Sequence, residues 1–193
     1  MAASTITICG WALGSDGERV YHDNEWGVPL HEDRGLFEFI CLEGAQAGLS
    51  WRTVLNKRER YREVFDGFDF ANCSQIADAR IEKLMLDPGI IRNRMKITSV
   101  RDNAVAALAV VDEFGSLDAF LWSFVDGRPV NNRWRSMGEV PASTSISDSM
   151  SKQMKKRGFR FVGSRICYAL MQATGMVNDH LVGCPRHLEC KNA

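Results

Sequence analysis

The stretch DRGLFEFICLEGAQAGLSW, residues 33–51, decides the fold class of this chain. Apolar residues recur in it at intervals of three, four and seven, the spacing that places side chains on one face of an α-helix. The residues of that face are Leu36, Phe39, Ile40 and Ala47. Ser50 is of a type that caps helices, and it stands directly before Trp51. The stretch therefore predicts a helix over residues 33–47 and a second helix that begins at Trp51.

Helical periodicity covers most of the remaining chain. A short amphipathic helix over residues 78–86 ends at Asp87-Pro88-Gly89, which is a turn signal, and a longer helix runs from Ile90 or Ile91 to about Phe114. Further helices are expected over residues 117–125, 145–157 (capped by Ser145 or Ser147) and 162–174. Residues 131–144 are expected to be irregular, and alternating strand patterns are nearly absent. The chain is therefore predicted to be all-α.

The composition predicts a soluble protein with an uneven charge distribution. The 193 residues include 24 Lys and Arg and 24 Asp and Glu, a balance that excludes a strongly basic protein of the histone kind. Residues 1–49 carry two basic and eight acidic side chains, whereas residues 140–193 carry eight basic and three acidic ones, so a basic face is still expected. The longest apolar run, around residues 104–111, is far shorter than the roughly 20 residues of a membrane span. Because no basic leader precedes residue 9, we expect a cytoplasmic location and no membrane partner.

Glu43 is predicted to face the protein interior. At about 100° per residue, it lies about 20° around the helix from Leu36 and about 60° from Ile40, while Glu38 points about 160° away from Leu36. A carboxylate on an apolar face is costly unless a cation or a hydrogen-bond donor meets it. Two interpretations stay open: an internal carboxylate tied to backbone donors, or a ligand site.

Aromatic residues crowd the same part of the chain. They are Trp11, Tyr21, Trp26, Phe37, Phe39 and Trp51. Most should belong to the core, but a flat pocket walled by one or two of them beside Glu43 would suit a planar, electron-poor ring.

Cysteine and histidine residues near both ends of the chain have a spacing that suits zinc. Cys9 and His22 lie near the start, and His180 and Cys184 lie near the end, four residues apart. Four protein ligands leave no position for a reactive water, so such a zinc ion would be structural and would join the two terminal segments. His187 and Cys190 are alternative ligands.

Residues 86–96 place a glycine turn between two predicted helices. Arg92, Arg94 and Lys96 follow Gly89 closely. Backbone N–H groups at such a turn can bind a phosphate, as in a helix-hairpin-helix motif, although an ordinary helix connection has the same sequence features.

Six motifs in order along the chain closely resemble the 3-methyladenine DNA glycosylase I family. They lie at residues 9–11 (CGW), 21–29 (YHDNEWGVP), 41–44 (CLEG), 47–51 (AGLSW), 121–124 (LWSF) and 177–180 (VNDH). The resemblance implies a helix-hairpin-helix DNA glycosylase fold with one structural zinc ion near the joined termini. It also implies a monofunctional, monomeric enzyme that binds double-stranded alkylated DNA, flips 3-methyladenine into a pocket and hydrolyses its N-glycosidic bond. We expect one unit over residues 1–193, with a central hairpin lobe at about 50–125 and a terminal lobe at about 1–49 and 126–193.

The resemblance also implies roles for individual residues. An anionic Glu43 recognises the base, Tyr21 supplies a hydroxyl, Trp51 stacks on the base and Trp11 completes the wall; Glu43 and Tyr21 are the catalytic candidates. The zinc ligands would be Cys9, His22, His180 and Cys184. DNA contacts are implied for Gly48 and Leu49, which push into the duplex, and for the hairpin residues Gly89, Ile90, Ile91 and Arg92. Pro88 departs from the alanine expected there, and it cannot donate an N–H to a phosphate.

No general base and no lyase nucleophile can be assigned from the sequence. Asp102 and Asp112 follow the hairpin, but neither lies in a motif. We find no single lysine in an apolar setting, so no Schiff-base step is expected.

Overall fold

The computed structural model describes residues 7–192, and this part of the chain is almost entirely helical. Its helices are α1 (Asp16–Asn24), α2 (Asp33–Gln46), α3 (Trp51–Leu55), α4 (Arg58–Val64), α5 (Phe70–Ser74), α6 (Asp78–Leu84), α7 (Arg94–Phe114), α8 (Leu117–Trp122), α9 (Ser145–Lys156), α10 (Ser164–Ala173) and α11 (Pro185–Lys191). Single 3-10 turns lie at Gly10–Leu13, Asp66–Phe68, Ser123–Val125 and Met137–Glu139. The predicted all-α class is confirmed.

Two very short strands escape the sequence prediction. β1 (Val130–Asn131) and β2 (Val177–Asn178) pair in parallel, with Val130 opposite Val177. Two-residue strands are too short to show an alternating pattern. The pairing attaches the otherwise irregular segment 131–144 to the residues that lead into His180.

Capping side chains explain where the helix boundaries differ from the predicted ones. The long helix begins at Arg94 and not at Ile90 or Ile91, because the side chain of Asn93 accepts a hydrogen bond from the amide of Lys96 at 3.2 Å. Thr144, and neither Ser145 nor Ser147, is the N-cap of α9; Thr144 and Ser147 cap each other reciprocally. The short helices α1, α4, α5 and α11 were not predicted.

Helix α2 lies at the centre of the core and is covered on all sides. It contacts α3, α7, α8 and α10, and ten of its residues are buried. Glu38, expected to point away from the core, is therefore buried as well. Two arginines of α4 meet it: Nε of Arg58 lies 2.5 Å from Glu38 Oε1, and Nη2 of Arg62 lies 2.9 Å from the same oxygen. The angular argument failed here because it treated α2 as a surface helix with one buried face.

The two ends of the described chain meet. The amide of Thr7 donates to the carbonyl of Gly183 at 3.0 Å, and Cys9 lies close to His180.

The expectation of no secretory leader depends largely on residues 1–6, which lie outside the described residues. Over residues 7–192, no helix has the length and apolar character required to cross a membrane. The division into two lobes stays a prediction.

Candidate functional site

A cavity of about 340 Å³ opens where α1, α2, α3 and α10 meet. It is lined by Trp11, Glu18, Tyr21, Trp26, Glu43, Gln46, Trp51, Met137, Ala169 and Gln172. The structure thus brings together all four residues that the sequence placed in a base pocket: Glu43, Tyr21, Trp51 and Trp11. Three of the lining residues that sequence reasoning missed come from distant segments: Met137, Ala169 and Gln172. Gln46 could have been found, because it follows Glu43 by three residues on the same helix.

Aromatic rings form the walls of this cavity. The ring centroids of Tyr21 and Trp51 lie 5.2 Å apart, and those of Trp11 and Trp26 lie 5.0 Å apart at nearly a right angle. Ser50 caps α3 by accepting from the amide of Thr53, which fixes Trp51 at the first helical position. The indole Nε1 of Trp51 is buried and has no hydrogen-bond partner among the described residues.

The carboxyl group of Glu43 reaches this cavity without a protein partner. Its residue is only 4% exposed, and no hydrogen bond or ion pair joins it to another residue of the described chain. The interpretation of an internal carboxylate tied to backbone donors is therefore wrong. Burial alone raises the pKa of Glu43 from 4.5 to about 8. Near neutral pH burial thus favours the protonated acid, in contrast to the expected anion, and a cationic ligand would favour its ionisation.

Tyr21 keeps its proton in the same environment. Its side chain is buried, and burial together with the nearby Glu43 raises its pKa well above 10. The phenol can therefore donate a hydrogen bond to a ligand in the cavity at any ordinary pH.

A second depression of about 400 Å³ adjoins the first and forms its mouth. It shares Glu43, Gln46 and Ala169 with the cavity and adds Ala47, Gly48, Leu49, Arg165 and Ile166. Gly48 has a φ of +77°, which favours glycine, and Leu49 is 41% exposed. The two residues predicted to push into a duplex therefore lie at the rim of the pocket.

Lys96 holds this rim in place. Its buried Nζ donates to the carbonyls of Ala45 (2.7 Å) and Ala47 (2.6 Å), at the end of α2. This corrects the sequence analysis, which found no lysine in an apolar setting: Lys96 is buried, and burial lowers its pKa. Both hydrogen bonds serve the helix end, so the contact joins the first turn of α7 to the rim.

The predicted hairpin has donors that are already used inside the protein. The amide of Gly89 donates to Asp87 Oδ1 at 2.7 Å, and that of Ile91 donates to Tyr61 Oη at 3.2 Å. Ile90 is buried in the core. A Cβ at position 89 would lie 2.5 Å from Cγ of Arg60, so glycine is required by the close approach of α4. The amides of Gly89 and Ile91 are therefore not free to bind a phosphate.

Two arginines beyond the turn differ in their pairing. Arg94 forms an ion pair with Glu82. Arg92 is exposed and has no ion pair with another described residue. Arg92 is therefore the cation of this turn that can attract an anion without first losing a partner.

Cys9, His22, His180 and Cys184 form a buried cluster whose candidate ligand atoms lie within 4.8 Å of one another. Nδ1 of His180 lies 3.2 Å from Nε2 of His22 and 3.7 Å from the sulfur of Cys9. Ligands of a tetrahedral zinc ion lie roughly 3.3–3.8 Å apart, and these two separations are close to that range. The alternative ligands lie outside the cluster: His187 bonds through Nε2 to the carbonyl of Asn132 at 2.8 Å.

The outer nitrogens of both histidines are also bonded. Nδ1 of His22 lies 2.7 Å from Asp23 Oδ1, and Nε2 of His180 lies 2.9 Å from the carbonyl of Trp26. Each acceptor requires an N–H on the ring atom it faces, which leaves His22 Nε2 and His180 Nδ1 with lone pairs toward the cluster. Support of this kind from neighbouring groups is typical of metal-ligating histidines.

Comparison with known proteins gives matches over nearly the whole chain. The methyladenine glycosylase family model matches residues 11–187. The chain is 50% identical over 176 residues to DNA-3-methyladenine glycosylase 1 of Escherichia coli (strain K12), covering 91% of this chain and 94% of that protein. It is 45% identical over 179 residues to DNA-3-methyladenine glycosylase of Haemophilus influenzae, with coverages of 93% and 97%.

Solved structures show the same fold. A crystal structure of 3-methyladenine DNA glycosylase I superimposes with a TM-score of 0.91 at 49% identity, covering 93% of this chain and 98% of that one. A structure from Staphylococcus aureus, solved to explain 3-methyladenine recognition, gives a TM-score of 0.90 at 32% identity, with coverages of 93% and 96%.

Proposed function

The chain belongs to the methyladenine glycosylase family and is a DNA glycosylase that excises 3-methyladenine, and we propose that it selects the lesion through Glu43. The observation that carries this proposal is the buried carboxyl of Glu43, which has no protein partner and faces an aromatic cavity. Such a group is costly in the free protein. A ligand that carries positive charge and N–H donors removes that cost.

Selection of the base is the main task because the bond to be broken is already weak. Methylation at N3 places positive charge on the adenine ring and weakens its bond to the sugar. When that bond breaks, its electron pair stays on the base, which leaves as neutral 3-methyladenine, while water adds to C1′ of the oxocarbenium-like sugar and loses a proton. Ionised Glu43 accepts from the amino edge of the base and balances its charge, Tyr21 donates to it, and Trp51 stacks on it. Unmodified adenine brings no charge that would favour ionisation of Glu43.

Release of the free base from methylated duplex DNA tests the activity on which this proposal rests. We expect 3-methyladenine to appear in solution together with abasic sites, and unmethylated DNA to yield neither. Tight binding to methylated DNA without release of a base would instead identify a protein that only binds damage, and the proposed reaction would be wrong.

Leu49 is proposed to fill the space left by the flipped nucleotide, since it is exposed at the rim of the cavity. We expect Leu49→Ala to slow excision from duplex DNA roughly tenfold, because a smaller side chain stabilises the flipped state less. Binding of free 3-methyladenine, measured by quenching of tryptophan fluorescence, should be unchanged. Val182 is also partly exposed but does not line either depression, so Val182→Ala is the matched control. Equal rates for the Leu49 variant and the parent protein would contradict this role.

Arg92 is proposed to bind the DNA backbone, because it is an exposed cation beside the hairpin without an ion pair in the described chain. We expect Arg92→Ala to weaken binding to damaged and undamaged duplexes by a similar factor and to lower the salt slope of binding by about one. Arg94→Ala is the matched control, since Arg94 is already paired with Glu82. A loss confined to damaged DNA would show that Arg92 contacts the lesion.

The Cys/His cluster is proposed to hold one structural zinc ion per chain, supported by its two sulfur and two nitrogen donors and by its burial. A structural ion of this type supplies folding energy and no reactive water. We also propose that the enzyme works on double-stranded DNA as a monomer, because one chain supplies every lining residue of the cavity and every member of the cluster. The cytoplasmic location stays a prediction.

A further inference from the structure

Asp179 is a fully buried carboxyl group that the proposed reaction does not use. It is 0% exposed, and no arginine or lysine of the described chain forms an ion pair with it. Four neutral donors surround it instead. Oδ2 accepts from Tyr168 Oη (2.6 Å) and Gln172 Nε2 (2.8 Å), and Oδ1 accepts from Asn132 Nδ2 (2.6 Å) and Trp134 Nε1 (2.7 Å). The group therefore ties α10 to the irregular segment 131–144.

One of these donors also lines the base cavity. Gln172, on α10, lines the cavity together with residues of α1 and α2. Because Asp179 acts as an acceptor, the amide of Gln172 must turn its Nε2 toward it. The oxygen of the same amide, Oε1, is then left without a donor from any described residue. Because Gln172 lines the cavity, this oxygen is available to a ligand as an acceptor, beside the carboxyl groups of Glu18 and Glu43 and the amide of Gln46.

We infer that Gln172, oriented by Asp179, discriminates adenine lesions from guanine lesions. This inference rests on the proposed function. The amino group of adenine carries two N–H donors, so Glu43 can accept from one and Gln172 Oε1 from the other. Guanine carries a carbonyl oxygen at the same ring position, and two acceptors facing that oxygen disfavour it. Gln172 is a binding residue and Asp179 is a positioning residue.

The substitution Asp179→Asn has a predictable effect on this arrangement. Trp134 can only donate, so the side-chain oxygen of the new asparagine must stay on the side of Trp134, and its Nδ2 must face Gln172 and Tyr168. The hydroxyl of Tyr168 can rotate to accept. The amide of Gln172 must flip to bring Oε1 toward the asparagine, and the flip turns its Nε2 donor into the cavity.

The test measures kcat/KM for release of 3-methyladenine and of 3-methylguanine from the same methylated duplex DNA. For Asp179→Asn we expect the ratio of the two values to shift toward 3-methylguanine roughly tenfold or more, since an acceptor becomes a donor. For Gln172→Leu we expect roughly a 3- to 10-fold loss for 3-methyladenine, with no comparable loss for 3-methylguanine. Tyr168→Phe is the matched control, because it removes another donor to the same oxygen of Asp179 and leaves Gln172 oriented; its ratio should equal that of the parent protein.

The outcomes separate this inference from the proposed function. If the parent protein releases no 3-methyladenine, the proposed function itself is wrong. If it does, and both variants lower the two activities by the same factor, Asp179 and Gln172 act only through stability, and the inference is overturned. Should Asp179→Asn fail to fold, Gln172→Leu decides alone: a selective loss of 3-methyladenine release supports the inference, and an equal loss or no loss overturns it.

Discussion

Replacement of Glu43 by glutamine is expected to slow release of 3-methyladenine roughly 10²-fold and, at the same time, to stabilise the free protein. The rate falls because a neutral amide cannot balance the charge of the alkylated base, and a hydrogen bond to a charged group is worth about 1.5–3 kcal/mol. Single-turnover excision gives the rate, and quenching of the pocket tryptophans Trp11 and Trp51 gives the affinity for the free base. Unchanged affinity and rate in Glu43→Gln would remove the basis of the proposed selectivity.

The gain in stability has a definite dependence on pH. Burial raises the pKa of Glu43 from 4.5 to about 8, so between these values the folded protein keeps a proton that the unfolded chain has lost. The free energy of unfolding of the parent protein therefore declines as pH rises from about 4.5 to about 8, by at most ~5 kcal/mol for a shift of this size. Glutamine does not titrate, so the advantage of Glu43→Gln should be absent at pH 4, grow through this window and level off above pH 8. A constant difference in denaturant midpoint across the window would show that the acid is not desolvated.

Glu38 on the same helix is the matched control for Glu43→Gln. Both glutamates are buried, but Glu38 accepts from Arg58 and Arg62, and Glu43 meets no cation of the described chain. Glu38→Gln should therefore destabilise the protein by about 1.5–3 kcal/mol, since it removes the buried carboxylate that Arg58 and Arg62 share and leaves Arg58 with Glu25 alone. The two substitutions would then change the free energy of unfolding in opposite directions. Because the substitution is the same at both positions, the difference would come from the cation that Glu38 has and Glu43 lacks.

The contrast between these two glutamates also shows how far the sequence predicts the site. The periodicity of residues 33–47 placed Glu43 in the interior correctly, because its neighbours on the helix are apolar. The same periodicity could not reveal that the side chains of Arg58 and Arg62, from α4, reach Glu38 on the opposite face of α2. Periodicity describes one helix at a time, whereas burial of Glu38 depends on how two helices pack.

Patterns and motifs along the chain predicted the helices and the Cys/His cluster, but they did not predict contacts between residues far apart in sequence. The long helix, the all-α class and the four members of the Cys/His cluster could be predicted, since each depends on spacing or on motifs along the chain. Gln172 and Met137 could not be assigned to the cavity, because they lie more than 90 residues from Glu43 in sequence and only the tertiary fold brings them there. Asp179 stands in a recognised motif beside His180, but its four donors come from α10 and from a segment without periodicity.

Loss of the proposed zinc ion is expected to destabilise the protein strongly. Cys184→Ser removes one of four buried ligands, so the purified variant should contain well below one equivalent of zinc and unfold at a melting temperature at least 10 °C lower, roughly 3 kcal/mol or more. The reason is that Cys9 and His22 belong to the N-terminal segment and His180 and Cys184 to the C-terminal one, so the ion would join these two segments inside the protein. Metal analysis and calorimetry on the same sample measure both quantities.

Cys190→Ser is the matched control, because Cys190 is also a buried cysteine near the C-terminus but does not belong to the cluster. It should keep one equivalent of zinc and lose far less stability. The folded fraction of Cys184→Ser should excise the base at nearly the rate of the parent protein, although its melting temperature is lower. The reason is that no ligand of the cluster lines the cavity. Trp26 does touch both sites, with its ring 4.6 Å from that of His180 and its side chain in the cavity wall, so a modest loss of affinity for the free base is consistent with a structural ion. Full stability and normal excision in a metal-free preparation of the parent protein would instead show that the four residues pack as ordinary core side chains and hold no ion that the fold requires.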